Sequence, residues 1–129
     1  MRRTLSLVVA LIGLCGVIGC GNAGMHEVTG TVTLDSKPLE QGDIRFTPAD
    51  PKFGSEESKV KDGAYKFTAR EGKMKVEIRS YREVPGLKGP MGTEAVLESI
   101  IPAGYNDKTT LSAEVGPGKT KFDFTLKSK

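Results

Sequence analysis

His26-Glu27-Val28-Thr29-Gly30-Thr31-Val32-Thr33-Leu34-Asp35 alternates between two kinds of residue. His26, Val28, Gly30, Val32 and Leu34 fall on one side; Glu27, Thr29, Thr31, Thr33 and Asp35 fall on the other. A period of two, with β-branched residues on the wet side, is the pattern of a half-buried strand. Asp35-Ser36-Lys37-Pro38 then supplies turn chemistry. The same period returns along the chain. Ile44 and Phe46 alternate with Asp43, Arg45 and Thr47, and Ser58-Lys59-Val60 makes a short run. Tyr65, Phe67 and Ala69 follow the tight turn Lys61-Asp62-Gly63. Met74, Val76 and Ile78 continue toward Tyr81 after Glu71-Gly72. Leu111, Ala113 and Val115 precede Gly116-Pro117-Gly118-Lys119, and Phe122, Phe124 and Leu126 close the series. Seven short strands separated by turn signals predict an all-β fold, a seven-stranded antiparallel β-sandwich.

The chain has 129 residues, a net charge of +3, 16 glycines, 7 prolines and 2 cysteines. That is one domain, with too little Gly and Pro for a low-complexity chain. Its first residues read as a leader. Met1-Arg2-Arg3 is a positive start, and residues 5–18 are apolar apart from Ser6. As a helix this stretch spans roughly 21 Å, short of the ~30 Å hydrocarbon core, so it reads as a signal peptide and not a membrane span. Loss of Arg2 and Arg3 with the leader leaves +1 from Cys20 onward. Such a balance does not call for nucleic acid or an anionic membrane surface as partner.

Val17-Ile18-Gly19-Cys20 resembles the bacterial lipobox. The resemblance implies diacylglyceryl attachment to the Cys20 thiol, cleavage before it and acylation of the new amine. The expected organisation is therefore a lipoprotein signal peptide over 1–19, a lipidated tether over 20–24 and one domain over 25–129. The implied location is the cell membrane or outer membrane, with the domain facing the periplasm or the exterior and the membrane engaged through the lipid on Cys20. Two or more acyl chains, at about 0.8 kcal/mol per buried CH₂, give durable attachment. With Cys20 acylated the mature chain has no free thiol, which excludes disulfides and thiolate metal sites.

Val28-Thr29-Gly30-Thr31-Val32 with Pro38-Leu39, and Lys61-Asp62-Gly63-Ala64-Tyr65-Lys66-Phe67, resemble the opening hairpin and fourth-strand turn of carboxypeptidase-regulatory-like domains. Gly72-Lys73-Met74-Lys75-Val76 stands where that family has a Gly-x-Tyr-x-Val strand, with Met74 in place of the aromatic. Residues 101–106, 110–115 and 122–126 are similar to the C-terminal half of short bacterial lipoproteins carrying this domain. The resemblance implies a transthyretin-like (prealbumin-like) sandwich, an accessory module without catalytic residues of its own.

Candidate chemistry is sparse. His26 is the sole histidine and starts a strand, a position that suits an edge residue. Hydroxyisourate hydrolase, an enzyme on the transthyretin fold, uses several His, an Arg and a terminal Tyr-Arg-Gly-Ser. This chain ends Thr125-Leu126-Lys127-Ser128-Lys129, which rejects that activity. Glu56-Glu57 and Asp35, Asp43, Asp50, Asp62 and Asp107 lack the D-x-D-x-D-G spacing of a Ca²⁺ loop. No metal or cofactor is expected. Lys66, Arg70, Lys73, Lys75 and Arg79 are interrupted by Glu77 and Asp43 and read as cross-strand charge pairs, not a nucleic-acid footprint.

The stretch 83–109, with Pro85, Gly86, Gly89, Pro90, Gly92, Pro102 and Gly104, is expected to be a long irregular loop with one or two helical turns over 93–98. Val96, Leu97, Ile100 and Ile101 make it either a structural cap or a recognition surface. If strands reverse at every turn, turns at 35–41, 61–63 and 83–109 share the end away from the tether. Turns at 49–57, 70–72 and 116–118 share the near end. Glu94, Glu98, Tyr105 and Asn106 are then the expected distal-loop contacts. The expected function is a non-enzymatic binding or structural module of the envelope, with an unidentified protein or glycan as partner. The alternatives are a small carboxylate-dependent hydrolase, a metal-binding module or an accessory subunit of an envelope enzyme.

Overall fold

The computed structural model describes residues 24–128. The leader and Cys20 lie outside the described residues. In chain order the strands are β1 (Met25–Leu34), β2 (Lys37–Pro38), β3 (Gln41–Pro48), β4 (Glu56–Lys61), β5 (Ala64–Arg70), β6 (Gly72–Arg79), β7 (Tyr81–Lys88), β8 (Ala95–Ser99), β9 (Ser112–Val115) and β10 (Phe124–Leu126). A 3₁₀ turn over Ala103–Tyr105 separates β8 from β9. The all-β class follows from the period-two alternation: Val28, Val32, Ile44, Phe46, Met74, Val76 and Ile78 are buried while their chain neighbours are exposed or partly exposed.

One sheet runs β10-β1-β5-β4-β3-β6-β9, with β2 added beside β1, and β7 and β8 form a separate two-stranded ribbon. Two of its hairpins turn on paired positive φ. Asp35 and Ser36 (φ 51° and 67°) link the Leu34–Lys37 pair, and Asp62 and Gly63 (φ 50° and 77°) link the Lys61–Ala64 pair. Positive φ at both central residues marks the turn whose twist matches that of the flanking strands. The register sorts the turns as their alternation predicts. Residues 49–55, 70–72 and 116–119 lie at the Met25 end, and residues 35–40 and 61–63 at the other.

Three expectations are corrected. The sheet is antiparallel except that β10 lies parallel to β1, with Val32 opposite Phe124 and Leu34 opposite Leu126. Period two reports a strand's faces and not the direction of its neighbour, so this pairing had no sequence signal. Among the described residues there are ten strands, not seven. The stretch 83–109 is not an irregular loop, and 93–98 holds no helical turn: β7 and β8 occupy 81–88 and 95–99. Pro85 and Gly86 fit inside β7 because the ribbon's register breaks between Glu83 and Lys88. Residues 84–87 bulge opposite Val96, where an absent N–H costs nothing and Gly86 takes φ 81°.

The sheet curls into a half-barrel, and the curl is concentrated at β4–β5. These strands pair only at Lys61–Ala64, and the Ser58 hydroxyl donates to the Lys66 carbonyl at 3.1 Å where they diverge. Inside the curl Phe46 meets Phe67 edge-on, with centroids 5.0 Å apart, and reaches Tyr65, Phe122 and Phe124 within 6.5 Å. The Tyr65 hydroxyl donates to the Phe122 carbonyl at 2.6 Å, and burial pushes its phenol above the ordinary range, so it stays a donor. Gly30 lies beneath this contact: a Cβ there would sit 1.8 Å from the Phe122 oxygen.

Two carboxylates fasten the C-terminal segment to β1. Asp123 accepts from the Thr31 N–H and hydroxyl, both at 2.9 Å. Asp35 accepts from the Ser128 hydroxyl at 2.5 Å and the Ser128 N–H at 2.9 Å. These hydrogen bonds hold both carboxyls below their ordinary pKa. Their contribution is complete above the unfolded value of about 3.9 and is lost as pH falls through the lower folded values.

Gly30→Ala is expected to destabilise the fold by about 3 kcal/mol in urea titration. Gly54→Ala, where a Cβ meets nothing within 4 Å, should stay within about 0.5 kcal/mol of the parent. The double variant Asp35→Asn, Asp123→Asn should be less stable at neutral pH. Its urea midpoint should fall less steeply than the parent's below about pH 4.

Candidate functional site

The end of the sheet opposite Met25 carries the candidate surface, built from a cleft and the β7–β8 arm. The cleft, about 680 Å³, is lined by the start of β3 (Gln41, Gly42, Asp43), the end of β4 (Lys59, Val60, Lys61), Asp62 and the β6–β7 junction (Ser80, Tyr81). Ser80 sets that junction. Its buried hydroxyl donates to the Gln41 carbonyl at 2.6 Å, and its carbonyl accepts from the Ile100 N–H at 3.0 Å. The chain therefore leaves the sheet at Ser80 and returns to it at Ile100. Within the cleft Lys59 and Asp43 are ion-paired, and the hydrogen bond the ammonium donates to the Asp43 carboxylate holds it above its ordinary pKa. Each is then the other's partner, and the pair presents little net charge to a ligand.

The arm differs in kind from the rest of the surface. Met91 is 78% exposed, Leu97 59%, Leu87 55% and Tyr81 43%. Phe53 is the one other large apolar side chain so exposed among the described residues. It lies at the Met25 end with the Arg70 guanidinium 4.0 Å above its ring. Glu83 and Leu97 are paired across the arm, as are Tyr81 and Ser99. Tyr81 and Leu97 thus share one face, and the opposite face holds the Arg82–Glu98 ion pair.

The four residues expected as distal contacts do not form one patch. Glu94 is exposed near the arm's tip, where its carbonyl accepts from the Gly89 N–H at 2.9 Å. Glu98 is on the arm but paired to Arg82. Tyr105 is half-buried against the core, and its hydroxyl accepts from the Lys127 N–H at 3.2 Å. Asn106 is 5% exposed. Its Nδ2 donates toward the carbonyls of Ile78, Ile101 and Pro102 at 3.5, 3.4 and 3.3 Å, and its Oδ1 accepts from the Asp107 N–H at 2.7 Å. Asn106 is therefore spent on the backbone beneath the surface. The expected choice between cap and recognition surface divides along the chain. Ile101 is buried and Ile100 packs against the core, so 100–109 caps the sheet, whereas Leu97 stays out on the arm.

Tyr81, Leu87 and Met91 were not singled out by sequence reasoning. A usable signal was present: Leu87 and Met91 are large apolar residues among Gly86, Gly89, Pro90 and Gly92, outside any alternating run. His26 Nε2 lies 3.1 Å from the Glu71 carboxylate at the Met25 end. Among the described residues no three His, Cys, Asp or Glu side chains gather as a metal-ligand set. A second groove, about 500 Å³, runs between Thr47, Lys73, Lys75 and Thr109 on the β6–β9 side.

Asn106→Ala should cost about 2 kcal/mol in chemical denaturation, since it strands buried carbonyls. Glu94→Ala should be neutral within about 0.5 kcal/mol.

No family model matches the chain, and no curated protein matches it. Among solved structures a 9R-lipoxygenase from Cyanothece PCC8801 is similar at 12% identity and a TM-score of 0.39. The similarity covers 98% of this chain and 18% of that one. At that level it carries no argument about fold or activity.

Proposed function

We propose that this protein is an exported lipoprotein, anchored through acylated Cys20, whose β-domain is a non-catalytic binding module of the cell envelope. The observation that carries the recognition role is the concentration of exposed Tyr81, Leu87, Met91 and Leu97 on one arm at the end opposite Met25. Exposed apolar side chains gathered in one place mark interaction surfaces. The four residues between Cys20 and Met25 span at most about 14 Å when extended. An anchor at Cys20 would hold the Met25 end near the bilayer and turn the arm away from it. The partner on this reading is an envelope protein or glycan met by the arm and the adjoining cleft. A non-catalytic reading is supported by the Asp43–Lys59 ion pair, which ties up two of the five charged side chains lining the cleft.

The finer fold reading belongs to the same proposal: a transthyretin-like, carboxypeptidase-regulatory-like sandwich with β10-β1-β5 as one layer and β4-β3-β6-β9 as the other. It is supported by the single Lys61–Ala64 link between those layers and by the rings of Phe122 and Phe124 against Phe46.

Intact-mass analysis of the membrane-extracted protein should find a chain beginning at Cys20 and carrying acyl mass. An unmodified thiol there would refute the anchor. A photocrosslinking residue at Met91 should then capture an envelope component in cells, and one at Gly118 should not. Capture at Gly118 alone would reverse the orientation.

A further inference from the structure

We infer that the outer edge of β8 pairs with the same edge of a second copy of this chain, antiparallel about a two-fold axis at Leu97. This inference rests on the arm's geometry alone and not on the lipid anchor.

Among the described strands β8 pairs with β7 only. A two-stranded ribbon by itself is marginally stable in water, and further strands are what make such a ribbon durable. The two edges of the ribbon are unlike. The β7 side carries Pro85, the bulge over 84–87 and Lys88, the devices that keep an edge from pairing. Ala95-Val96-Leu97-Glu98-Ser99 carries no proline, glycine or lysine, and all but Val96 are exposed.

The Ile100 N–H donates to the Ser80 carbonyl at 3.0 Å. Backbone groups alternate in direction along an antiparallel strand, so Glu98 also turns toward β7, and Leu97 and Ser99 turn their N–H and C=O outward. Outward groups can meet outward groups in only a few registers, and charge selects among them. With the axis at Leu97, Glu98 faces Val96 of the second copy, Ala95 faces Ser99 and Glu94 faces Ile100, so no like charges are opposed. Sliding two residues one way sets Glu98 against Glu98; sliding two the other way sets Glu94 against Glu98. Like charges directly opposite destabilise a pair. The favoured register brings the two exposed Leu97 side chains together on one face and turns two ribbons into a four-stranded sheet.

At this axis the two Leu97 α-carbons lie about 5.5 Å apart, the spacing of a hydrogen-bonded antiparallel pair. That is within the range a disulfide bridges. Leu97→Cys, made in a Cys15→Ser, Cys20→Ser background so that no other thiol is present, should give on mild oxidation a covalent dimer that reductant reverses. Neither that background alone nor Ser112→Cys in it, on the outer edge of β9, should do so. Sedimentation should find the parent dimeric and Leu97→Lys monomeric, with unchanged β circular dichroism. A parent that sediments as a monomer at its highest soluble concentration overturns the inference. So does a dimer that survives Leu97→Lys while Leu97→Cys is not trapped. Acylation at Cys20 is read separately by mass, so its failure is distinguishable from this one.

Discussion

The contact of the Tyr65 hydroxyl with the Phe122 carbonyl, made across the bare α-carbon of Gly30, is where the curl of the sheet closes. The segment leading into β10 can lie this close to β1 only because residue 30 has no side chain. Once it is there, Phe122 and Phe124 reach the aromatic group around Phe46, and the interior of the half-barrel is filled. The Phe122 N–H also donates to the Thr29 carbonyl at 3.0 Å, so backbone pairing and ring packing enforce the same approach. Asp35 and Asp123 add ionic hydrogen bonds on either side of β10, at its two ends. The last strand of the chain is thus held by a close backbone approach, by aromatic burial and by two carboxylates.

The outer face of the sheet is organised by charge in a weaker way. Arg45 pairs with Glu57 directly across β3–β4, Lys59 with Asp43 on the same strand pair, and Lys66 with Glu27 diagonally across β1–β5. Exposed pairs of this kind contribute roughly 0–1 kcal/mol each. Their effect is on register: a slip of one residue would bring both the charges and the apolar face to the wrong side. Of the basic residues of β5 and β6, Lys66 is paired in this way, and Arg79 pairs with Glu77 and Asp107.

The arm keeps one cross-strand charge pair, Arg82–Glu98, and otherwise departs from these rules. It has no aromatic interior and no opposing layer, and its large apolar side chains face solvent. Its base is fixed by Ser80 and Ile100 on one side and by Asn106 beneath the cap on the other. A hydrogen-bonded base thus carries an uncovered apolar ribbon whose two edges differ: the β7 edge is guarded by Pro85, the bulge and Lys88, and the β8 edge is open.

The strands that build the curl were legible because each has one wet face and one dry face, so Val28, Ile44, Phe46, Val76 and Ile78 announced themselves by spacing. The two positive-φ hairpins were legible because Asp35-Ser36 and Asp62-Gly63 are residues that tolerate that backbone. The β7–β8 arm was not, since a strand exposed on both sides has no reason to alternate and its bulge absorbs the Pro and Gly that otherwise signal a loop. Asn106 was read as a surface polar residue because nothing local to 101–107 tells that three carbonyls converge on it. The amino-acid sequence by itself determined the all-β class, the inward-facing residues and the turns, because these depend on near neighbours along the chain. Only the tertiary structure decided that β10 runs parallel to β1, that Gly30 makes room for Phe122 and that the exposed apolar surface gathers on one arm, because these depend on residues distant in sequence meeting in space.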